Sequence, residues 1–155
     1  MVEEPEIVYF QDQWPDIATH CWGCGRNNEH GLQIKSYWEG NETVCEWKPE
    51  EYHMVFPGTV SAGIIASILE CHCGNTAIAY IYKNEGRELG QDPFPSIVTG
   101  TLTVKYILPT PTRRPITLRA RVEEATKKKI TVSCSVYSRK KLCARGEVIV
   151  IRVGQ

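Results

Sequence analysis

The chain predicts an α+β domain in which a curved antiparallel sheet wraps one long buried helix. Three observations predict it. A segment from Thr59 to about Tyr82 is apolar, rich in small residues and far too long for a strand. Two strand-like stretches precede it, and four follow it in succession. Strands, then one helix, then strands in antiparallel order set the helix against a face of their sheet.

Residues 1–20 read as an irregular segment with a short helical turn near Pro15–Thr19, and residues 21–155 as a single domain. From Gly31, Leu32, Ile34, Ser36 and Trp38 alternate with Gln33, Lys35 and Tyr37, which is strand periodicity. Gly40-Asn41 makes a turn, and Thr43–Trp47 is its return strand. The apolar segment follows, entered through a tight turn at Pro57-Gly58, and residues 83–95 are a polar loop. Strands are then expected at Ser96–Leu108, Ile116–Glu124, Ile130–Arg139 and Leu142–Val153. In the first of these, Thr101, Thr103 and Lys105 alternate with Leu102, Val104 and Tyr106, the pattern of a half-buried strand. Pro109, Pro111 and Pro115 bracket a turn, while Lys127–Lys129 and Ser138–Lys141 are polar hairpin tips.

Acids and bases balance at 18 each, so the composition offers nothing to a nucleic acid. The N-terminus is acidic rather than a basic leader, and no apolar run is expected to reach membrane-spanning length. These features predict a cytoplasmic protein, in which seven cysteines remain free thiols. Cys21 and Cys24, with His20 and His30 nearby, have half of a zinc-site spacing, but a second pair of ligands is missing. Cys71 and Cys73 lie in the helix and are expected to point elsewhere. The expectation is therefore a tight turn with inward-packed thiols, no metal and no cofactor.

Glu70 stands out. Between Tyr52 and Asn84 the only other formal charge is Lys83. A carboxylate in so apolar a helix loses hydration, which disfavours its ionised form and raises its pKa. Such a group needs a partner or a task. Glu70 is thus a candidate general base or nucleophile, the plainer alternative being a buried carboxylate bonded to Ser67 or Asn75. Ser61 is placed to cap the helix or to donate a hydrogen bond to a ligand. His72 falls on another helical face and carries little catalytic weight.

Three blocks of residues resemble the hotdog-fold thioesterase superfamily, in particular its phenylacetate-pathway branch and related human members. They are Cys21-Trp22-Gly23-Cys24-Gly25 with Asn27 and Gly31-Leu32; His53 with Pro57-Gly58 and Ser61-Ala62-Gly63 running to Glu70; and Thr99–Tyr106 ending in Pro109-Thr110-Pro111. The resemblance covers about residues 21–155. Two positions depart from it: Ser61-Ala62-Gly63 stands where the family has His-Gly-Gly, and Glu70 where this branch has aspartate. Other hotdog thioesterases carry glutamate there.

The resemblance implies an acyl-CoA thioesterase acting on a medium-chain or aromatic acyl group. Glu70 would act as base or nucleophile, and the amides of Ala62 and Gly63 would meet the oxyanion. Thr99 would orient water from a facing protomer, His53 would lie at the pocket mouth, and Arg113 and Arg114 would hold the phosphates of coenzyme A. A homodimer is implied, and tetramers are common in the family. The alternative is a non-catalytic acyl-CoA or lipid-binding hotdog protein, which the loss of the family histidine favours. A hotdog dehydratase or hydratase is a third and weaker reading, because that chemistry pairs a histidine with the carboxylate.

Overall fold

No proline interrupts residues 62–84, and Ala, Ile, Leu and small polar residues fill them, so the segment is free to coil. In the computed structural model, which describes residues 1–154, the helices are α1 (Phe10–Gln13) and α2 (Ala62–Asn84). Single 3-10 turns occur at Asp16–Ala18 and Glu51–His53. Gly86 closes α2, taking φ +63° while its amide returns to Lys83 O at 3.2 Å.

The strands are β1 (Ser36–Glu39), β2 (Glu42–Trp47), β3 (Met54–Phe56), β4 (Thr59–Val60), β5 (Ile97–Tyr106), β6 (Ile116–Ala125), β7 (Lys129–Ser138) and β8 (Lys141–Arg152). Among the described residues, six of them make one antiparallel sheet in the order β1-β2-β6-β7-β8-β5. β3 and β4 form a separate hairpin around Pro57-Gly58, directly ahead of α2.

Most boundaries fall within a residue or two of the sequence reading, and the α+β class holds. Three details differ. β1 begins at Ser36 rather than near Gly31, because Leu32 and Ile34 bond back to Trp22 O and Gly23 O and Gln33 takes φ +52°. α2 begins at Ala62 rather than Thr59, because Thr59 and Val60 pair with β3 and Val60 donates to Thr110 O at 2.8 Å. β5 is an edge strand and mostly exposed, not half-buried, with Val98 51%, Leu102 39% and Tyr106 50% accessible.

One face of α2 packs on the sheet through Ile65, Ile68, Leu69, Cys73 and Ala77, against Leu118, Val132, Val136, Val148 and Val150. Its C-terminal half is covered on the other side too. Phe10 and Trp14 of the N-terminal segment pack with Ile78, Ala79 and Tyr82, and Trp14 stacks on Tyr82 at 5.9 Å. Arg26 holds that segment down, donating to Gln11 O (2.7 Å) and Trp14 O (2.8 Å). By length and composition α2 is apolar enough to cross a membrane, which corrects the sequence expectation. In this fold 61% of its most apolar window is buried inside the protein.

A polar seam crosses the core. His72 is fully buried, with Ser36 Oγ at 2.8 Å from Nδ1 and Thr43 Oγ1 at 3.2 Å from Nε2. Gln11 accepts from Ser36 N, and the Thr43 and Thr76 hydroxyls bond at 2.6 Å. Burial lowers the His72 pKa from 6.5 to about 4. The unfolded chain therefore binds a proton more readily than the folded one between these values, and stability falls as pH drops through that window. We expect a loss of about 3 kcal/mol between neutral pH and pH 4 from this one group. Urea denaturation across that range measures it, and His72→Asn should flatten the dependence.

Candidate active site

Where the N-terminal segment does not reach, α2 keeps an open stripe. Gly63, Ser67, Glu70 and Gly74 follow at three- and four-residue intervals, so they share one face, and none of them is buried. Glu70 is only partly buried, which corrects the expectation of a carboxylate sealed in the core. Nor is it held by the partners first considered. Ser67 Oγ donates to Gly63 O at 2.9 Å, and Asn75 is engaged with Trp14, Cys24 and Cys71.

The partner of Glu70 is Thr99, whose hydroxyl donates to Glu70 Oε1 at 2.5 Å. This contact lies within one chain, so the expectation that Thr99 arrives from a facing protomer is corrected. A bulge aims the threonine. The β5–β8 register shifts between Thr99, opposite Val150, and Thr101, opposite Ile149, leaving Gly100 as the extra residue. A Cβ on Gly100 would lie 2.8 Å from Ile151 Cγ1, so the bulge fits against β8 as glycine. Gly100 is therefore a positioning residue that the sequence reading passed over, although a glycine inside a strand is itself a bulge signal.

At the start of α2, Ser61 occupies the N-cap position, but its side chain makes no capping bond. Its carbonyl accepts from Ile64 and Ile65, both at 3.1 Å. Ala62 and Gly63, both exposed, precede those residues, and their amides lie in the first turn, where no intrahelical acceptor exists and the helix dipole is positive. A Cβ built on Gly63 would meet only Ser61 Oγ, at 3.7 Å. The protein itself thus makes no steric demand for glycine there. Tyr106 fixes this turn from β5, its hydroxyl donating to Ala62 O at 2.7 Å.

The remaining predicted residues, His53, Arg113 and Arg114, do not line a common pocket. His53 stacks near Trp47 and Tyr52, and its Nδ1 accepts from Glu50 N at 2.9 Å. Partial burial lowers its pKa, in keeping with a neutral ring that caps the turn. Its carbonyl accepts from Ser61 N at 2.8 Å, so it braces the approach to α2. Arg113 pairs with Glu51 on the same turn. Arg114 lines a different cavity with Arg139 and Lys141, so the two arginines do not converge.

An apolar cavity of about 450 Å³ runs along α2 past Cys71, Gly74, Asn75 and Ile78; it begins one residue beyond Glu70, which does not itself line it. Trp14 and Phe94 close its far wall, and Ser96 and Ile97 of the β5 approach line its near side. Cys21 and Cys24 complete it, and here a further correction is needed. Cys71 does not point away from them: its Sγ is 3.7 Å from that of Cys21.

No protein-family model and no curated protein matches the chain in sequence. Solved structures match in fold. A thioesterase superfamily protein from Shewanella loihica aligns over 83% of this chain and 98% of its own, with 28% identity and TM-score 0.63. Another thioesterase superfamily protein aligns over 96% of this chain and 71% of its own, with 18% identity and TM-score 0.69. The Escherichia coli PaaI protein from the phenylacetic acid degradation operon aligns over 79% and 81%, with 14% identity and TM-score 0.65. The hotdog fold implied by the three sequence blocks is the fold of this chain.

The open space at Gly63 gives a direct expectation. Gly63→Ala should leave the melting temperature unchanged or raise it, by up to about 1 kcal/mol of helix propensity. Thermal denaturation measures this. A markedly less stable variant would mean that the glycine serves the fold rather than a ligand.

Proposed function

We propose that this chain, built on the fold of thioesterase superfamily proteins, hydrolyses acyl-CoA thioesters with Glu70 as general base or nucleophile. The observation that carries the reading is the Thr99–Glu70 hydrogen bond on an open helix face, with an apolar cavity beginning at the next helix residue, Cys71. A hydroxyl bonded to one carboxylate oxygen orients the group and leaves the other oxygen free to take a proton from water or to attack. The cavity is of the size that accepts small organic ligands, and Trp14, Ile78 and Phe94 suit a medium-chain or aromatic acyl tail.

Attack on the thioester carbon builds negative charge on the carbonyl oxygen. The Ala62 and Gly63 amides, at the positive end of α2, are the donors suited to stabilise it. Gly63 and Glu70 lie seven helical steps apart, about 10 Å along the axis, so one thioester cannot engage both within a single chain. A symmetric dimer answers this by setting the first turn of one protomer against the partner's Glu70. The ten-residue β5 edge, carrying exposed Val98, Leu102 and Tyr106, supplies a surface for continuing the sheet into a second copy. Tetramers built from such dimers, a cytoplasmic setting and a role for Arg113 or Arg114 with the CoA phosphates belong to the same reading.

Ser61 favours one other reading. A hydroxyl cannot shuttle a proton near neutral pH as the family's histidine could, so a domain that binds acyl-CoA without cleaving it is the alternative. Chromatographic detection of free CoA from an acyl-CoA panel, acetyl to palmitoyl with phenylacetyl, separates the two. Hydrolysis of one acyl class is expected, with Glu70→Gln lowering turnover by roughly 10²–10⁴. Glu70→Gln mixed with Gly63→Val, each inactive alone, should recover activity in mixed dimers. Intact acyl-CoA retained without release would establish the binder, and an undiminished Glu70→Gln would remove the carboxylate from the chemistry.

A further inference from the structure

We infer that Cys21, Cys24 and Cys71 form a binding site for a zinc-type metal ion, held by three thiolates with a fourth position open to the apolar cavity. The three sulfur atoms lie within 4.8 Å of one another, and Cys21 and Cys71 are 3.7 Å apart. Zinc–thiolate bonds of 2.3 Å at tetrahedral angles set sulfurs about 3.8 Å apart, so the closest pair already has that spacing and the third thiol need move about 1 Å at most. Residues far apart in sequence are brought to this spacing by the fold, since Cys71 comes from the middle of α2 and the others from the turn before β1.

The surroundings are built for sulfur ligation. Gly25 N bonds Cys21 O at 2.7 Å, closing the turn. Asn75 Nδ2 donates to Cys24 Sγ at 3.3 Å, and its Oδ1 accepts from Trp14 Nε1 at 2.6 Å, which fixes the amide's orientation. Such N–H···S bonds are the outer contacts that orient thiolate ligands and stabilise their charge. Gly23 is where the turn meets the helix, since a Cβ there would lie 2.1 Å from Cys71 Sγ.

Binding of a cation would displace the thiol protons to solvent. Two thiols would suffice for a disulfide. The convergence of three, with an amide donor on Cys24 Sγ, fits a metal. Among the described residues no fourth cysteine, histidine or carboxylate joins them. Three protein ligands with one exchangeable position is the pattern of metal sites that take a water or a ligand, and here that position faces the cavity. Cys21 is exposed, so the ion has a way in.

The test uses the full chain, reduced and stripped of metal, titrated with Co(II) and then displaced by Zn(II). One equivalent per chain is expected, with intense thiolate-to-cobalt absorption and tetrahedral d–d bands. Losing even an outer contact of a metal site costs 10–100-fold, so Cys21→Ser and Cys71→Ser should each weaken zinc binding at least tenfold, whereas Cys143→Ser should not. Because Cys21 is exposed, Cys21→Ser remains informative even where Cys71→Ser destabilises the helix. Absence of stoichiometric binding, cobalt bound without thiolate absorption, or zinc affinity unchanged in Cys21→Ser would overturn the site. So would a Cys21 disulfide to Cys24 or Cys71 that forms at the same rate with and without zinc. None of these readouts depends on hydrolysis, so the metal and the thioesterase reading stand or fall separately.

Discussion

The structure depends on covering one apolar helix. α2 has too little polar surface to lie on a sheet with its back in water along its whole length, so a second layer is required. The strands cover one side through Leu118, Val132, Val136 and Val148. The aromatic cluster of Phe10, Trp14 and Tyr82 covers the other side, but only over the C-terminal half. What remains open is the stripe from Gly63 to Gly74. The candidate site lies where the covering stops, and its cavity is the gap left between Trp14, Phe94 and the helix.

The same economy governs β5. As the last strand in the sheet it is paired on one side only, and its bulge at Gly100 turns Thr99 towards the helix. One short segment therefore does two things. Its inner side addresses Glu70, and its outer edge carries unpaired backbone groups. The positive end of the helix dipole and the carboxylate lie at separated points on α2.

Much of this was legible in the residues. The long apolar run, the Gly40-Asn41 turn and the alternation of the later strands locate nearly every element of the sheet, because period and turn chemistry are local properties. Glu70 announces itself as a lone charge. What could not be read are meetings across distance. Nothing local says that Trp14 stacks on Tyr82, that Thr99 reaches Glu70 in its own chain, or that Cys71 faces Cys21 and Cys24. The Met54–Val60 hairpin escaped for a different reason: its strands are too short for periodicity to register. The exposure of β5 was misread because alternation reports which face is apolar, not whether anything covers it.

The order of elements along the chain has a consequence for biosynthesis. α2 leaves the ribosome before β5, β6, β7 and β8, which supply most of the surface that covers it. At ordinary elongation rates a largely apolar, membrane-like helix therefore waits for a time on the order of several seconds with its sheet still unmade. During that interval only the N-terminal aromatic segment and the β1–β2 hairpin are present to shield it. The segment ahead of the turn at Cys21 thus has a part in the nascent chain, as an early cover for a helix that would otherwise attract chaperones, lipid or other nascent chains.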